Sequence, residues 1–137
     1  MILVDSGVWI DYLRGIDSRQ TDHLDSVLGV EPVAIGDLIL AEVLQGCDSD
    51  ADFKRVSDLL APLNLVELGG RQIAIQAAKN FRILRRKGVT IRQTIDTVIA
   101  TRCITDNLAL LYSDKDFDPF VEHLGMRPAI SPRDDYL

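Results

Sequence analysis

The sequence predicts an α/β fold, a three-layer sandwich with a central parallel sheet and helices on both faces. Three observations predict it. Short continuous apolar runs, Ile2-Leu3-Val4 and Leu108-Ala109-Leu110-Leu111-Tyr112, read as strands buried on both faces. The segments between such runs carry apolar residues at helical spacing. Two of the runs also end in an aspartate, Asp5 and, just past Ser113, Asp114. In open α/β sheets, ligand chemistry gathers beyond the carboxyl ends of the strands.

Asp5 ends the first strand, residues 2–4. Ser6 is placed to cap the next helix, in which Val8, Trp9, Tyr12 and Leu13 face inward and which Gly15 ends. Residues 19–28 form a second helix with Leu24 and Leu28 inward, ended by Gly29; His23 reads as a surface or packing histidine. The second strand covers residues 32–35. Gly36 and Asp37 then open a helix whose stripe is Ile39, Leu40, Val43 and Leu44, with Glu42 at its edge. Ser49 begins a helix with Phe53, Val56, Leu59 and Leu60 at helical spacing, and Pro62 stops it.

Residues 63–66 read as a short extended segment. A long helix spans about residues 70–87, with Ile73, Ala77, Phe81 and Leu84 inward and Gly88 closing it. Thr94 caps the next helix, whose buried side is Ile95, Val98, Ile99 and Cys103. Asp96 lies one position off that side, in the first turn, where an acid also favours the helix dipole. Strand residues 108–112, a short helix at 119–124, an edge strand at 127–130 and a polar tail complete the chain. With no repeat, low-complexity tract or linker, the 137 residues are expected to form one domain over 1–137.

Composition narrows the classes. Apolar residues make up 47% and charged residues 26%, which excludes a disordered chain. No apolar run approaches the roughly 20 residues of a membrane helix. The first strand starts at once, with no signal-peptide core before it, so the expected compartment is the cytoplasm. Cys47 and Cys103 lack metal-site spacing and read as buried reduced thiols. The net charge of −6 is unevenly spread. Residues 1–67 hold 13 acids and 4 bases, whereas residues 68–137 hold 8 acids and 11 bases. Between Glu67 and Asp96 there is no acid, but there are Arg71, Lys79, Arg82, Arg85, Arg86, Lys87 and Arg92. A local basic patch of this kind binds phosphate on a protein that is acidic overall, or is simply a solvated helix face.

The acids carry the chemistry. Asp5 and Asp114 share the carboxyl edge of the predicted sheet, and Glu42 and Asp96 sit on helices able to close over it. Carboxylates brought that close either take up protons or are neutralised by a cation. Oxygen ligands select Mg²⁺ or Mn²⁺ rather than zinc. Such a site activates water for in-line attack on a phosphodiester. There is no G-x-S-x-G elbow, P-loop or dinucleotide fingerprint, and His23 and His123 have no evident partners.

Four stretches together resemble PIN-domain ribonucleases, specifically the VapC-type toxins of toxin–antitoxin pairs. They are Met1-Ile2-Leu3-Val4-Asp5-Ser6 with Trp9-Ile10-Asp11-Tyr12-Leu13-Arg14-Gly15, then Leu40-Ala41-Glu42-Val43-Leu44-Gln45-Gly46, then Ile95-Asp96-Thr97-Val98-Ile99-Ala100, and finally Ser113-Asp114-Lys115-Asp116-Phe117. The resemblance spans nearly the whole chain. It implies an α/β/α sandwich and Mg²⁺-dependent endoribonuclease activity on structured RNA, often transfer RNA and sometimes ribosomal RNA. It implies Asp5 and Asp96 as core metal ligands, Glu42 and Asp114 completing the cluster, and Asp116 and Ser6 in its outer shell. It also implies a homodimer neutralised by a VapB-type antitoxin. The chain departs from the family's pattern at Tyr112-Ser113, where Leu or Val followed by Thr is usual. Within the basic cluster, Arg82, Arg86 and Arg92 are the candidates for RNA phosphate contacts.

Two other readings use the same residues. A receiver-like signalling domain also places acids at strand ends with a lysine nearby, as in Asp114-Lys115. Against it, Asp96 falls on a predicted helix and no aspartate ends residues 63–66 as phospho-acceptor. A PIN nuclease with a housekeeping processing role shares the chemistry of the first reading.

Overall fold

A computed structural model describes residues 1–132 of the chain. Its strands are β1 (Ile2–Val4), β2 (Val33–Gly36), β3 (Asn64–Val66), β4 (Ala109–Leu111) and β5 (Arg127–Pro128). All pair in parallel, in the order β3-β2-β1-β4-β5. The helices are α1 (Ser6–Leu13), α2 (Arg19–Val27), α3 (Asp37–Gln45), α4 (Asp50–Leu60), α5 (Arg71–Arg86), α6 (Thr94–Asp106) and α7 (Asp118–Leu124), with a 3₁₀ turn at Lys115–Phe117. Helix α1 packs on α2 and α3, and α3 on α4, while α5 packs on α6 and α7. The predicted parallel α/β architecture is therefore present.

The strand order decides where chemistry can occur. The chain adds β2 and β3 on one side of β1, then crosses to place β4 on the other. The crevice between β1 and β4 is thus the topological switch point, where open sheets bind ligands. The receiver order, 2-1-3-4-5, is different, so that reading loses its fold. Register brings Val4 beside Leu111, and the Asp5 backbone N–H donates to the Leu111 carbonyl at 2.9 Å. Strand β1 is central and buried along its whole length, which is why it reads as an unbroken apolar run.

Several boundaries differ from expectation. Ser6 does not cap α1: Asp5 is the extended N-cap residue and no side-chain capping bond is made there. Thr94 is likewise the first helical residue of α6, after an extended Gln93. In both cases the cap position falls to the last extended residue, one place earlier. Pro32 lies outside β2, although its carbonyl accepts from Ile2 N–H at 3.1 Å. The last strand shortens to Arg127–Pro128, and Ala129 N–H still reaches the Leu110 carbonyl at 2.8 Å. On α4, Val56 and Leu60 are buried but Phe53 and Leu59 are exposed, so its apolar stripe is only half used. Of the polar tail, residues 133–137 lie outside the described residues.

Helix α6 shows the largest difference. Its buried residues are Asp96, Thr97, Ile99, Ala100, Thr101 and Cys103, while Ile95 and Val98 are only half-buried. The helix packs on two sides at once, so no single stripe describes it. Toward α5 the contact is polar: Asn80 Nδ2 donates to Thr101 Oγ1 at 3.0 Å, and both residues are buried. A buried polar pair is tolerated when its partners meet in this way. Cys103 is buried, with its thiol pushed up to about 12 by that burial, and Cys47 is half-buried; neither is in a disulfide. No helix among the described residues is long and apolar enough to cross a membrane.

One glycine is set by close approach. A Cβ on Gly36 would stand 2.6 Å from Leu68 Cδ1, inside any allowed contact. Leu68 is fully buried, and its loop is held from both directions. Leu68 N–H donates to Asp37 Oδ1 at 3.0 Å, and Arg102 donates to the Leu68 and Gly69 carbonyls at 3.2 and 2.8 Å. Leu68 therefore has little room to retreat. Gly36→Ala is expected to cost about 1–3 kcal/mol through overpacking. Urea unfolding checks this, and an unchanged midpoint would refute it.

Candidate metal centre

Each acid reaches the β1/β4 crevice from a different element. Asp5 follows β1 and is only 8% exposed. Glu42 arrives from α3 and is half-buried. Asp96 occupies the first turn of α6 and is also 8% exposed. Asp114 follows β4 and opens the 3₁₀ turn. Asp5, Glu42, Asp96 and Asp114 line one cleft of about 390 Å³, with Ser6, Asp11 and Gln93 on its walls.

Among the described residues, the tightest group of donors includes Asp116. Ligand oxygens of Asp96, Asp114 and Asp116 all lie within 4.8 Å of one another. Asp116 thus lies beside Asp96 and Asp114. A local turn accounts for it: Asp116 N–H donates to Asp114 Oδ1 at 2.9 Å, which curls the chain back on itself. Asp5 and Glu42 line the same cleft as Asp96 and Asp114 and share their field.

The electrostatics show how crowded the acids are. The Asp5 carboxyl is pushed up to about 7, mainly by burial and further by the charges of Asp96, Glu42 and Asp114. The Ser6 backbone N–H works against that shift. Asp96 is pushed up to about 6, again first by burial, then by Asp114, Asp116 and Glu42, with Arg92 opposing. Burial raises Glu42 as well. A bound cation works against these shifts, because its attraction favours the ionised carboxylates over both burial and like-charge repulsion. The donor set is oxygen only, which suits Mg²⁺ or Mn²⁺ and does not suit zinc. The residues present therefore fit a hard divalent ion.

The bases are arranged less simply. Arg82 and Arg86 are exposed on α5. Arg82 lines a groove between α5 and α6 that reaches Thr94, two residues from Asp96. Arg92 instead pairs with an acid, its Nε 3.0 Å from Asp116 Oδ2. Sequence reasoning assigned no role to Asp11 or Gln93. For Asp11 the signal is its position one helical turn beyond Gly7 on α1, which also lines the cleft. For Gln93 there was none beyond its place before α6.

The sequence matches the PIN domain over residues 2–121. This chain belongs to the PIN-domain family. Among curated relatives, a VapC ribonuclease of Mycobacterium bovis and ribonuclease VapC11 of Mycobacterium tuberculosis are each 28% identical over 131 residues. Each alignment covers 94% of this chain and 98% of the relative. Solved structures share the fold. VapBC-1 of nontypeable Haemophilus influenzae superposes with a TM-score of 0.68 at 20% identity, covering 89% of this chain and 94% of that one. VapC20 of Mycobacterium tuberculosis, described as a toxin that cleaves the sarcin–ricin loop, superposes with a TM-score of 0.61 at 15% identity, covering 86% and 93%.

Proposed function

We propose that this PIN-domain protein is a metal-dependent endoribonuclease, the VapC-like toxin of a type II toxin–antitoxin pair. The observation that carries the reading is the convergence of Asp5, Glu42, Asp96 and Asp114 in one cleft, with Asp116 joining Asp96 and Asp114. The relatives' names support RNA as the substrate. The wider reading includes residues 1–137 as one nuclease domain acting in the cytoplasm on structured RNA, transfer or ribosomal.

In this reading Asp5 and Asp96 hold Mg²⁺, or Mn²⁺ in its place, and Asp114 and Asp116 complete the oxygen ligands. When bound, the ion neutralises phosphate charge and acidifies water. Glu42, at the half-buried rim, orients the attacking water and takes up its proton. Asp96 sits in the first turn of α6, where the helix dipole favours a carboxylate over its protonated form. Ser6 places its backbone N–H on Asp5 and so orients that carboxylate. Arg82 and Arg86 hold flanking phosphates from the exposed face of α5.

A VapB-like antitoxin is the partner in this reading, by similarity to the VapBC complexes. A homodimer is included too; the exposed Phe53, Leu59 and Leu65 are apolar surface of the kind such a contact covers. The test is end-mapped cleavage of total cellular RNA by purified protein with Mg²⁺, with a chelator, and with Asp5→Asn. Discrete cuts that need the ion and vanish in the variant are expected. Intact RNA after incubation with folded, antitoxin-free protein and either Mg²⁺ or Mn²⁺ would overturn the reading.

A further inference from the structure

Arg92 belongs to the acid-free basic stretch, yet it faces the acids. Its Nε donates to Asp116 Oδ2 at 3.0 Å, while its side chain remains 77% exposed. Asp116 in turn is bound into the carboxylate triad, with its backbone on Asp114 Oδ1 and its own oxygens within 4.8 Å of donors from Asp96 and Asp114. The guanidinium therefore lies on the solvent side of a group of oxygens suited to a divalent ion. Its own proton is held more tightly than usual by the hydrogen bond to Asp116 and by the charges of Asp116, Asp114 and Asp96. The reverse holds as well: Arg92 lowers the cost of ionising Asp96. An exposed ion pair of this kind adds little to stability, so the fold does not require it.

We propose that Arg92 is an internal counter-cation of the acidic centre, holding Asp116 in the metal-free protein and competing there with a divalent ion. The inference rests on the metal-centre reading above and adds a regulator to it. Two consequences follow from charge alone. With Arg92 in place, the Asp116 side of the centre binds a divalent ion weakly, because one carboxylate oxygen is engaged and a positive charge stands nearby. When Arg92 leaves for another anion, such as a phosphate, that side becomes free. Being exposed at the end of the 87–93 connection, the side chain is not locked in either position. Arg92 acts through Asp116 and is thus a positioning residue.

The test is Mn²⁺ binding to the full chain, followed by calorimetry and by the free-ion paramagnetic resonance signal. The variants are Arg92→Gln, Arg92→Lys, Arg86→Gln and Asp116→Asn, each checked for an unchanged melting curve. Arg92→Gln is expected to tighten Mn²⁺ binding about three- to tenfold, the scale of one unit charge a few ångströms away in a wet site. Arg92→Lys should stay within about twofold of the parent, because a lysine restores both charge and pairing. Arg86→Gln removes the same charge from the same basic cluster without touching Asp116, and should leave affinity unchanged. In an Asp116→Asn background the Arg92→Gln gain should disappear. Equal affinity for the parent and Arg92→Gln would overturn the proposal, as would equal tightening by Arg86→Gln. Failure of the metal reading has a different signature, no Mn²⁺ binding by any variant, and it would remove this inference with it.

Discussion

Asp96→Asn is expected to reduce RNA cleavage at least about a hundredfold while leaving the fold intact, the scale on which positioned catalytic groups act. The change keeps the shape of the side chain and removes one charge from the acidic centre. It takes a ligand oxygen from the triad with Asp114 and Asp116 and weakens the hold on any cation. It should not destabilise the metal-free protein. Asp96 is buried at 8% exposure and carries like charges around it, so an amide relieves repulsion rather than breaking a pair. Melting temperature and Mn²⁺ affinity should accompany the rate: an equal or higher melting point, weaker binding, lost cleavage. Asp114→Asn gives an independent check from an exposed position, where misfolding is a smaller concern. Cleavage near the parental rate in both variants would end the assignment of this cleft.

The second large effect concerns pH and the metal-free fold. Asp5 is pushed up to about 7 from 3.8 because burial disfavours its charge. The sign follows from proton counting. Between these values the folded protein holds a proton on Asp5 that the unfolded chain has already released. Stability therefore falls as pH rises through this window, and the penalty is complete above about 7. Between pH 5 and 8, Asp5 alone should account for a loss of about 3 kcal/mol in chelator. Asp5→Asn isolates the term, since the amide cannot ionise. Its stability advantage over the parent should grow by about that amount across the window. Mg²⁺ or Mn²⁺ should shrink the loss by favouring the carboxylate, provided Asp5 ligates it. A parent and variant with parallel pH profiles would show that Asp5 is solvated in solution and is not held in a dry pocket.

Much of the acidic cleft is legible in the sequence. Ile2-Leu3-Val4 is apolar at every position because β1 is the middle strand, and its burial on both faces leaves no alternation. Asp5 and Asp114 were predicted to share an edge because parallel strands end on the same side, and register places Val4 beside Leu111 as that requires. Glu42 is a weak signal by its place at the margin of the α3 stripe, and the family resemblance is what singles it out. The misses share a cause in neighbouring elements. A single apolar stripe places Asp96 off the buried side, whereas α6 is covered from two directions. Phe53 and Leu59 kept helical spacing without a core to enter.

The order of residues alone decides the fold class, the two strand-end acids and the chemical type of the available donors, carboxylate oxygen. These depend on local patterning and on side-chain chemistry, both of which are carried by adjacent residues. Folding decides the membership of the centre. Asp116 joins Asp96 and Asp114 through one turn hydrogen bond, and Arg92 leaves the basic face to pair with Asp116. The Arg92 pairing has no period or motif, because it spans 24 residues and depends on where the 87–93 connection ends relative to the turn at Lys115–Phe117.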